Sequence, residues 1–335
     1  MRALAFALAA LGAASARADA LDAWAAANET TCVGKPDAAL AAPVSYEKGG
    51  AKFDVRGATA EIVLKAKDLK LGVVNAIKDF EPATKANLDD FLARFKEAGV
   101  SALVVGGDTA FDKVEELTAI FNYLGATDLP VLVVIGNSES RGAFNAALRA
   151  VHAAHPNVLN LDLVRKVKLS GLTLVSLPGY YDRKFLNDPG AGCVYKGDDV
   201  RGIPDLVAGT AGPVVIVSHG PPHMDGKGAL DYAGDAGNVG DPEMTQAIAA
   251  AKINFGIFGH VLEAGGRGTD LTGKKDVKPK TPAAQLFVNP GPANSLPWKM
   301  NQGPDSHGMA MIVTFTPDAK ASYEVLRAAG GPKKM

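Results

Sequence analysis

The chain has 335 residues, 47% of them hydrophobic and 21% charged, enough for one large α/β domain or two small ones and unlike a disordered chain or a coiled coil. Thirty-five Lys and Arg against thirty-six Asp and Glu leave a net charge of −1, so no global field draws the protein to nucleic acid or anionic membranes, and any polyanion site must be local. Cys32 and Cys193 stand far apart and outside any C-x-x-C pattern, which argues against a zinc ribbon or a thioredoxin-type motif.

Met1-Arg2 is followed by an apolar Ala/Leu-rich run from Ala3 to Ala14 and then by Ser15-Ala16-Arg17-Ala18-Asp19-Ala20, which offers two small-x-small cleavage sites. This pattern reads as a secretory signal peptide over residues 1–20. The twelve-residue run is short of the roughly 20 needed to cross a bilayer. The expectation is therefore export to the periplasm or beyond, with no membrane span once the signal is removed. In an oxidising compartment Cys32 and Cys193 can form a disulfide, two separate buried thiols being the alternative.

Residues 21–66 are weakly periodic and read as an N-terminal extension with a short helix around Ala23 to Asn28. From residue 67 to 328 apolar runs and helical patterns alternate in the βαβ manner, leaving a short tail over 329–335. Leu69 to Asn75 predicts a buried strand. A helix follows from about Lys85 to Ala98, with Leu88, Phe91, Leu92 and Phe95 spaced by threes and fours. Next come a strand over Ser101 to Gly106, a helix over Asp112 to Leu124, a strand over Val131 to Ile135 and a helix over Gly142 to Ala154. Lys166 to Leu169 and Leu172 to Leu177, separated by Ser170-Gly171, predict a hairpin. Val214 to Ser218, Ile253 to Phe258 and Gln285 to Asn289 are further strands, and Met309 to Phe315 with Ser322 to Leu326 predict a closing hairpin.

Each central strand ends in a polar cluster: Gly106-Gly107-Asp108, Gly136-Asn137-Ser138-Glu139, Ser218-His219-Gly220, Gly259-His260 and Asn289-Pro290-Gly291. In open α/β sheets ligands bind beyond the carboxyl ends of the strands, so the five are predicted to converge on one site. No G-x-G-x-x-G joins a first strand to a helix, which excludes a dinucleotide-binding domain. The basic loop from Thr272 to Lys280 reads as a solvated surface. His152 and His155 at a helix end read as capping and dipole partners, and His307 has no assigned role.

This succession resembles the calcineurin-like metallophosphoesterases, with their D-x-H, G-D, G-N-H-[DE], lone-His and G-H-x-H motifs. Here the matching segments are Asn75-Ala76-Ile77, Gly107-Asp108, Gly136-Asn137-Ser138-Glu139, His219-Gly220-Pro221-Pro222 and Gly259-His260-Val261-Leu262. The resemblance implies a four-layer α-β-β-α sandwich with two central mixed sheets. It also implies a metal site of Asp108, the Asn137 amide oxygen, His219 and His260, a set that suits one Zn²⁺, Mn²⁺ or Fe²⁺. The first-metal positions are degenerate: Asn75 replaces Asp, and Ile77 and Leu262 replace His, so a second ion requires Asp79 or Asp112 to reach in. Ser138 stands where the family has a histidine that assists the leaving group, a weak catalytic substitute. Phe111 in place of a tyrosine excludes the purple acid phosphatases, and His223 is a weak substrate-contact candidate. The implied function is hydrolysis of a small phosphate ester at a reduced single-metal centre. The alternative is a catalytically inactive member of the fold that binds a phosphorylated ligand or a protein partner.

Overall fold

The computed structural model describes residues 20–65 and 68–328. The expected signal peptide lies outside the described residues up to position 19, and so does the C-terminal tail from 329. Residues 20–27 are helical.

Runs such as Ala102-Leu-Val-Val105 and Leu172-Thr-Leu-Val-Ser-Leu177 have no polar face, so each can only be stable with both faces covered. They lie at the middle of two stacked sheets. The smaller has six strands: β4 (Leu69–Val74), β5 (Ala102–Val105), β6 (Val131–Val133) and β7 (Val158–Asn160) run parallel, and β15 (Met309–Phe315) with β16 (Ala321–Arg327) adds an antiparallel hairpin at the β4 edge. Helices α1 (Pro82–Ala98), α2 (Val114–Gly125) and α3 (Arg141–His152) cover its outer face through Leu88, Phe91, Phe95, Leu117, Phe121 and Phe144.

The larger sheet has ten strands. Its parallel centre is β9 (Leu172–Leu177), β10 (Val214–Ser218), β11 (Phe255–Ile257) and β14 (Leu286–Asn289). The short strands β12 (Arg267–Thr269) and β13 (Asp276–Val277) follow antiparallel beyond β14. Helices α4 (Gly197–Arg201), α5 (Ile203–Val207) and α6 (Pro242–Ala250) pack on the outer face through Val200, Ile203, Leu206, Met244 and Ile248. Between the sheets lies an apolar core that includes Val73, Val104, Leu132, Leu174, Val217, Ile257 and Val313. The layers are therefore helix, sheet, sheet, helix.

The segment 21–66, read from sequence as an extension with one short helix, instead carries three strands: β1 (Ala39–Lys48), β2 (Ala51–Gly57) and β3 (Thr59–Val63). β3 pairs in parallel with β8 (Lys166–Leu169), whose hairpin with β9 joins all three to the larger sheet. The alternation is plain in β2, where Ala51, Phe53 and Val55 face the core and Lys52 and Arg56 face solvent. A disulfide joins Cys32 to Cys193 across 161 residues, with Cα atoms 5.0 Å apart, and ties this N-terminal part to the loop after β9.

Candidate functional site

Four of the five polar clusters meet where the two sheets present the carboxyl ends of their parallel strands. Asp108 follows β5, Asn137 follows β6, His219 follows β10 and His260 follows β11. The fifth, Asn289, stands behind them: its Nδ2 donates to the carbonyl of Val261 at 2.8 Å and so supports the turn that carries His260.

The chain approaches itself closely here. Gly136 has no room for a side chain, because a Cβ would fall 2.4 Å from Asp108 Oδ1. Ala76, Lys78, Asp108 and His260 all have left-handed backbones, with φ between 48° and 61°. Such conformations cost of order 1 kcal/mol or more each and persist where the surroundings over-determine them. Here the surroundings are mutual: Ala76 N–H donates to Gly107 O, Lys78 N–H to Asp108 O and Gly259 N–H to His219 O.

Asp108 is buried, and each of its oxygens is engaged. Oδ1 accepts the main-chain N–H groups of Asn137 and Ser138, both at 3.0 Å, and lies 3.3 Å from His219 Nε2. Oδ2 accepts the Lys78 ammonium at 2.7 Å, and the same ammonium reaches Ser138 Oγ at 3.0 Å. Burial alone would push the Asp108 carboxyl up, but the Lys78 ammonium beside it prevails and holds it well below the usual carboxylate range. Asp108 is a permanent anion.

The orientation of His219 follows from its other nitrogen. Nδ1 lies 2.8 Å from the Gly106 carbonyl, which can only accept, so Nδ1 carries the proton. Burial pushes the ring down toward its neutral form, with Asp108 opposing, and in that form Nε2 is a lone pair. Nε2 faces Asn137 Oδ1 at 2.7 Å, and that atom is the amide oxygen because Nδ2 donates to Phe185 O at 2.7 Å. His260 Nδ1 lies 2.8 Å from the same oxygen. The His260 ring packs against Tyr180, with centroids 4.1 Å apart, and edge-on to Phe185 at 5.3 Å. With His219 neutral, a ring nitrogen, an amide oxygen and a carboxylate oxygen converge, a set of lone pairs able to hold a cation. Among the described residues no group of three or more His, Cys, Asp or Glu side chains is placed to hold a metal ion, so the set closes only with the amide of Asn137. In kind, the donors fit one borderline divalent ion.

The three positions read from sequence as degenerate first-metal positions are apolar or unpartnered. Ile77 is fully buried in the core beneath α1 and α2, and Leu262 is 5% exposed. Asn75 is fully buried, and neither atom of its amide has a hydrogen-bond partner. Neither acidic substitute reaches in: Asp79 Oδ1 accepts the Glu81 N–H, and Asp112 Oδ1 accepts the Ser140 N–H. His223 is not brought to the cluster; it lies 3.4 Å from Asp231 in the loop after β10.

Sequence reasoning assigned no role to three contributors. Lys78, one residue beyond the degenerate N-A-I segment, supplies a cation where the motif would supply a metal ligand. Glu139 holds the two loops together by accepting the N–H groups of Thr109, Ala110 and Gly136, while burial and the charge of Asp108 push its carboxyl up to about 8. Phe185, with Tyr180, walls off His260. The acidic position of G-N-H-[DE] signalled Glu139; nothing in the pattern signalled Phe185.

No protein-family model matches the chain. No curated protein matches it either. Among solved structures, TT1561 of Thermus thermophilus is 13% identical with a TM-score of 0.52, over 78% of this chain and 100% of that one. GAP50, the anchor in the inner membrane complex of Plasmodium, is 11% identical with a TM-score of 0.50, over 79% and 86%. A dimetal phosphatase from Danio rerio is 13% identical with a TM-score of 0.45, over 78% and 99%. At these identities the likeness is one of fold alone.

Proposed function

We propose that this is an exported metallophosphoesterase-fold protein that binds a phosphorylated ligand at one divalent cation and turns it over poorly. One observation carries the reading: the Lys78 ammonium sits 2.7 Å from Asp108 Oδ2, the oxygen with which a bridging carboxylate would hold a first metal. Asp108 Oδ1, Asn137 Oδ1, His219 Nε2 and His260 Nδ1 would hold the remaining ion. When bound, that ion supplies a Lewis acid for a phosphoryl oxygen. Lys78 supplies the second positive charge as an ammonium, which can hydrogen-bond a phosphoryl oxygen but cannot generate hydroxide. Ser138 Oγ is tied to that ammonium at 3.0 Å and is a poor proton donor for a leaving group. Ile77 and Leu262 offer no lone pair. The chain therefore retains the groups that bind a phosphoryl anion and has replaced those that cleave it. GAP50, similar in fold, is described as the anchor in the inner membrane complex of Plasmodium.

Metal analysis, phosphate titration and turnover on one preparation test the reading. The expected result is one ion per chain, metal-dependent binding of inorganic phosphate and turnover of aryl phosphate esters far below 1 s⁻¹. A turnover of roughly 1 to 10³ s⁻¹ would make the reduced site a working hydrolase and overturn the proposal. The intact mass of exported protein tests the localisation, since a retained Met1-Arg2 contradicts it.

A further inference from the structure

Among the described residues only four large hydrophobic side chains are exposed: Val63, Phe111, Leu296 and Trp298. Three belong to loops bonded to the Asn75–Lys78 segment. Phe111 lies three residues beyond Asp108, whose carbonyl accepts the Lys78 N–H at 3.1 Å. Leu296 and Trp298 follow Ala293 and Asn294, whose N–H groups donate to Asn75 O and Ala76 O at 2.8 and 3.3 Å. Of the three, Phe111 is the one with a contact to a charged group of the site, the Lys78 ammonium.

Lys78 has the means to bind an anion. Two of its three ammonium protons go to Asp108 Oδ2 and Ser138 Oγ, and the third is free. The Lys78 side chain is 20% exposed. Its ammonium stands 5.6 Å from the centroid of the Phe111 ring, within cation–π range, and that residue is 42% exposed. An anion on Lys78 is thereby placed beside an uncovered aromatic face. Bare phosphate would leave that face in water, whereas a ring attached to the phosphate would cover it.

Resting on the reading above, we infer that Lys78 and Phe111 form a subsite selecting ring-bearing phosphate monoesters. Lys78 takes the anion together with the metal ion, and Phe111 takes the ring by stacking. Stacking of this kind is typically worth about tenfold in affinity.

Phenylphosphonate and methylphosphonate, which carry the same anion and cannot be hydrolysed at an ester bond, separate the two parts in calorimetric titrations of the zinc-loaded protein. Phenylphosphonate should bind about tenfold tighter than methylphosphonate. Phe111→Ala should bring the two affinities together. Lys78→Met should weaken both by a similar factor while the zinc content stays at one ion per chain. Equal affinities in the wild-type protein, or a preference that survives Phe111→Ala, overturn the subsite and leave the phosphoryl reading intact. Failure of both probes to bind zinc-loaded protein overturns that reading and the subsite with it.

Discussion

Lys78 is bonded to Asp108 twice, by its main-chain N–H to the carbonyl at 3.1 Å and by its ammonium to Oδ2 at 2.7 Å. Both residues have left-handed backbones, so the two strained turns hold each other. The Asp108 side chain is 3% exposed and that of Lys78 20%, so this is a largely dry ion pair. Removing one partner of such a pair leaves an uncompensated charge inside the protein. Lys78→Met should therefore destabilise the metal-free protein by about 2 kcal/mol, below the buried-pair range because the ammonium is partly solvated. Zn²⁺ should restore more stability to the variant than it adds to the wild type, since the ion then becomes the only cation facing Asp108. Urea unfolding with and without zinc measures both, and an equal zinc effect in the two proteins would contradict the charge argument.

Metal content provides a second check. His219→Ala removes a nitrogen held in place by Gly106 O, and His260→Ala one held between Tyr180 and Phe185, so each should abolish binding of the single ion. Asn137→Ala should do the same and also free the loop at Phe185, because the amide serves both. A stoichiometry near two in the wild type would mean that Lys78 swings away from Asp108 to admit another ion. A wild type that holds no ion after zinc is supplied would leave the cluster as a polar network only.

Acid should weaken the metal-free protein through His260. Burial drives that ring down to about 3, with His219 and Lys78 adding to the effect and Asp108 opposing it. In the unfolded chain a histidine titrates near 6.5, so the unfolded state takes up a proton first. The contribution of His260 is thus fully present above about 6.5 and is lost as pH falls toward 3, by at most about 1.4 kcal/mol per pH unit. His260→Asn keeps a residue type that accepts the left-handed backbone and does not titrate. Unfolding free energies at pH 7, 5.5 and 4.5 should fall less steeply in that variant, and parallel slopes would show that His260 is not the group responsible.

Much of the site is legible in the amino-acid sequence because its chemistry lies at strand ends. Asp108, Asn137, His219 and His260 each follow an apolar run that could only be a central strand, and such strands deliver their last residues to one edge. Lys78 is hidden because metal-binding motifs are recognised by their lone pairs, and an ammonium has none. β1 to β3 are obscured because Ala and Pro blur the alternation in β1, although Ala51 to Val55 alternates cleanly. Phe185 belongs to the irregular chain after β9, whose course is fixed by Asn137, Tyr180 and the disulfide rather than by any periodic pattern.

That disulfide should matter to the site as well as to the fold. It closes a loop of 161 residues, for which chain-entropy arguments give about 5 kcal/mol as an upper expectation. Cys193 O also accepts the N–H of Tyr180, whose ring packs on His260. Cys32→Ser with Cys193→Ser should lower the unfolding midpoint and weaken zinc binding together. A variant that loses stability but binds zinc as tightly as the wild type would show that Tyr180 is held in place without the bridge.

The sharpest test of Lys78 as a built-in replacement for a metal ion is to reverse the exchange. Asn75 is fully buried with both amide atoms unpartnered, at the position where the metallophosphoesterase motif has an aspartate. Asn75→Asp alone adds a second buried anion, which the neighbouring Lys78 ammonium can neutralise, so zinc content should stay at one ion per chain. Lys78→Ala alone removes the competing cation but leaves Asp108 as the only charged ligand, so again little should change. Together the two changes leave a pair of carboxylates facing one vacated cation position, and the zinc content should rise above one. The effect belongs to the pair and should exceed the sum of the singles, as expected of residues that share a partner. Ile77 and Leu262 still withhold two imidazoles, so the added ion should bind more weakly than the first and be lost first on dialysis. If the double variant folds and still holds a single ion, Lys78 is a structural counter-ion for Asp108 and not a substitute for a metal.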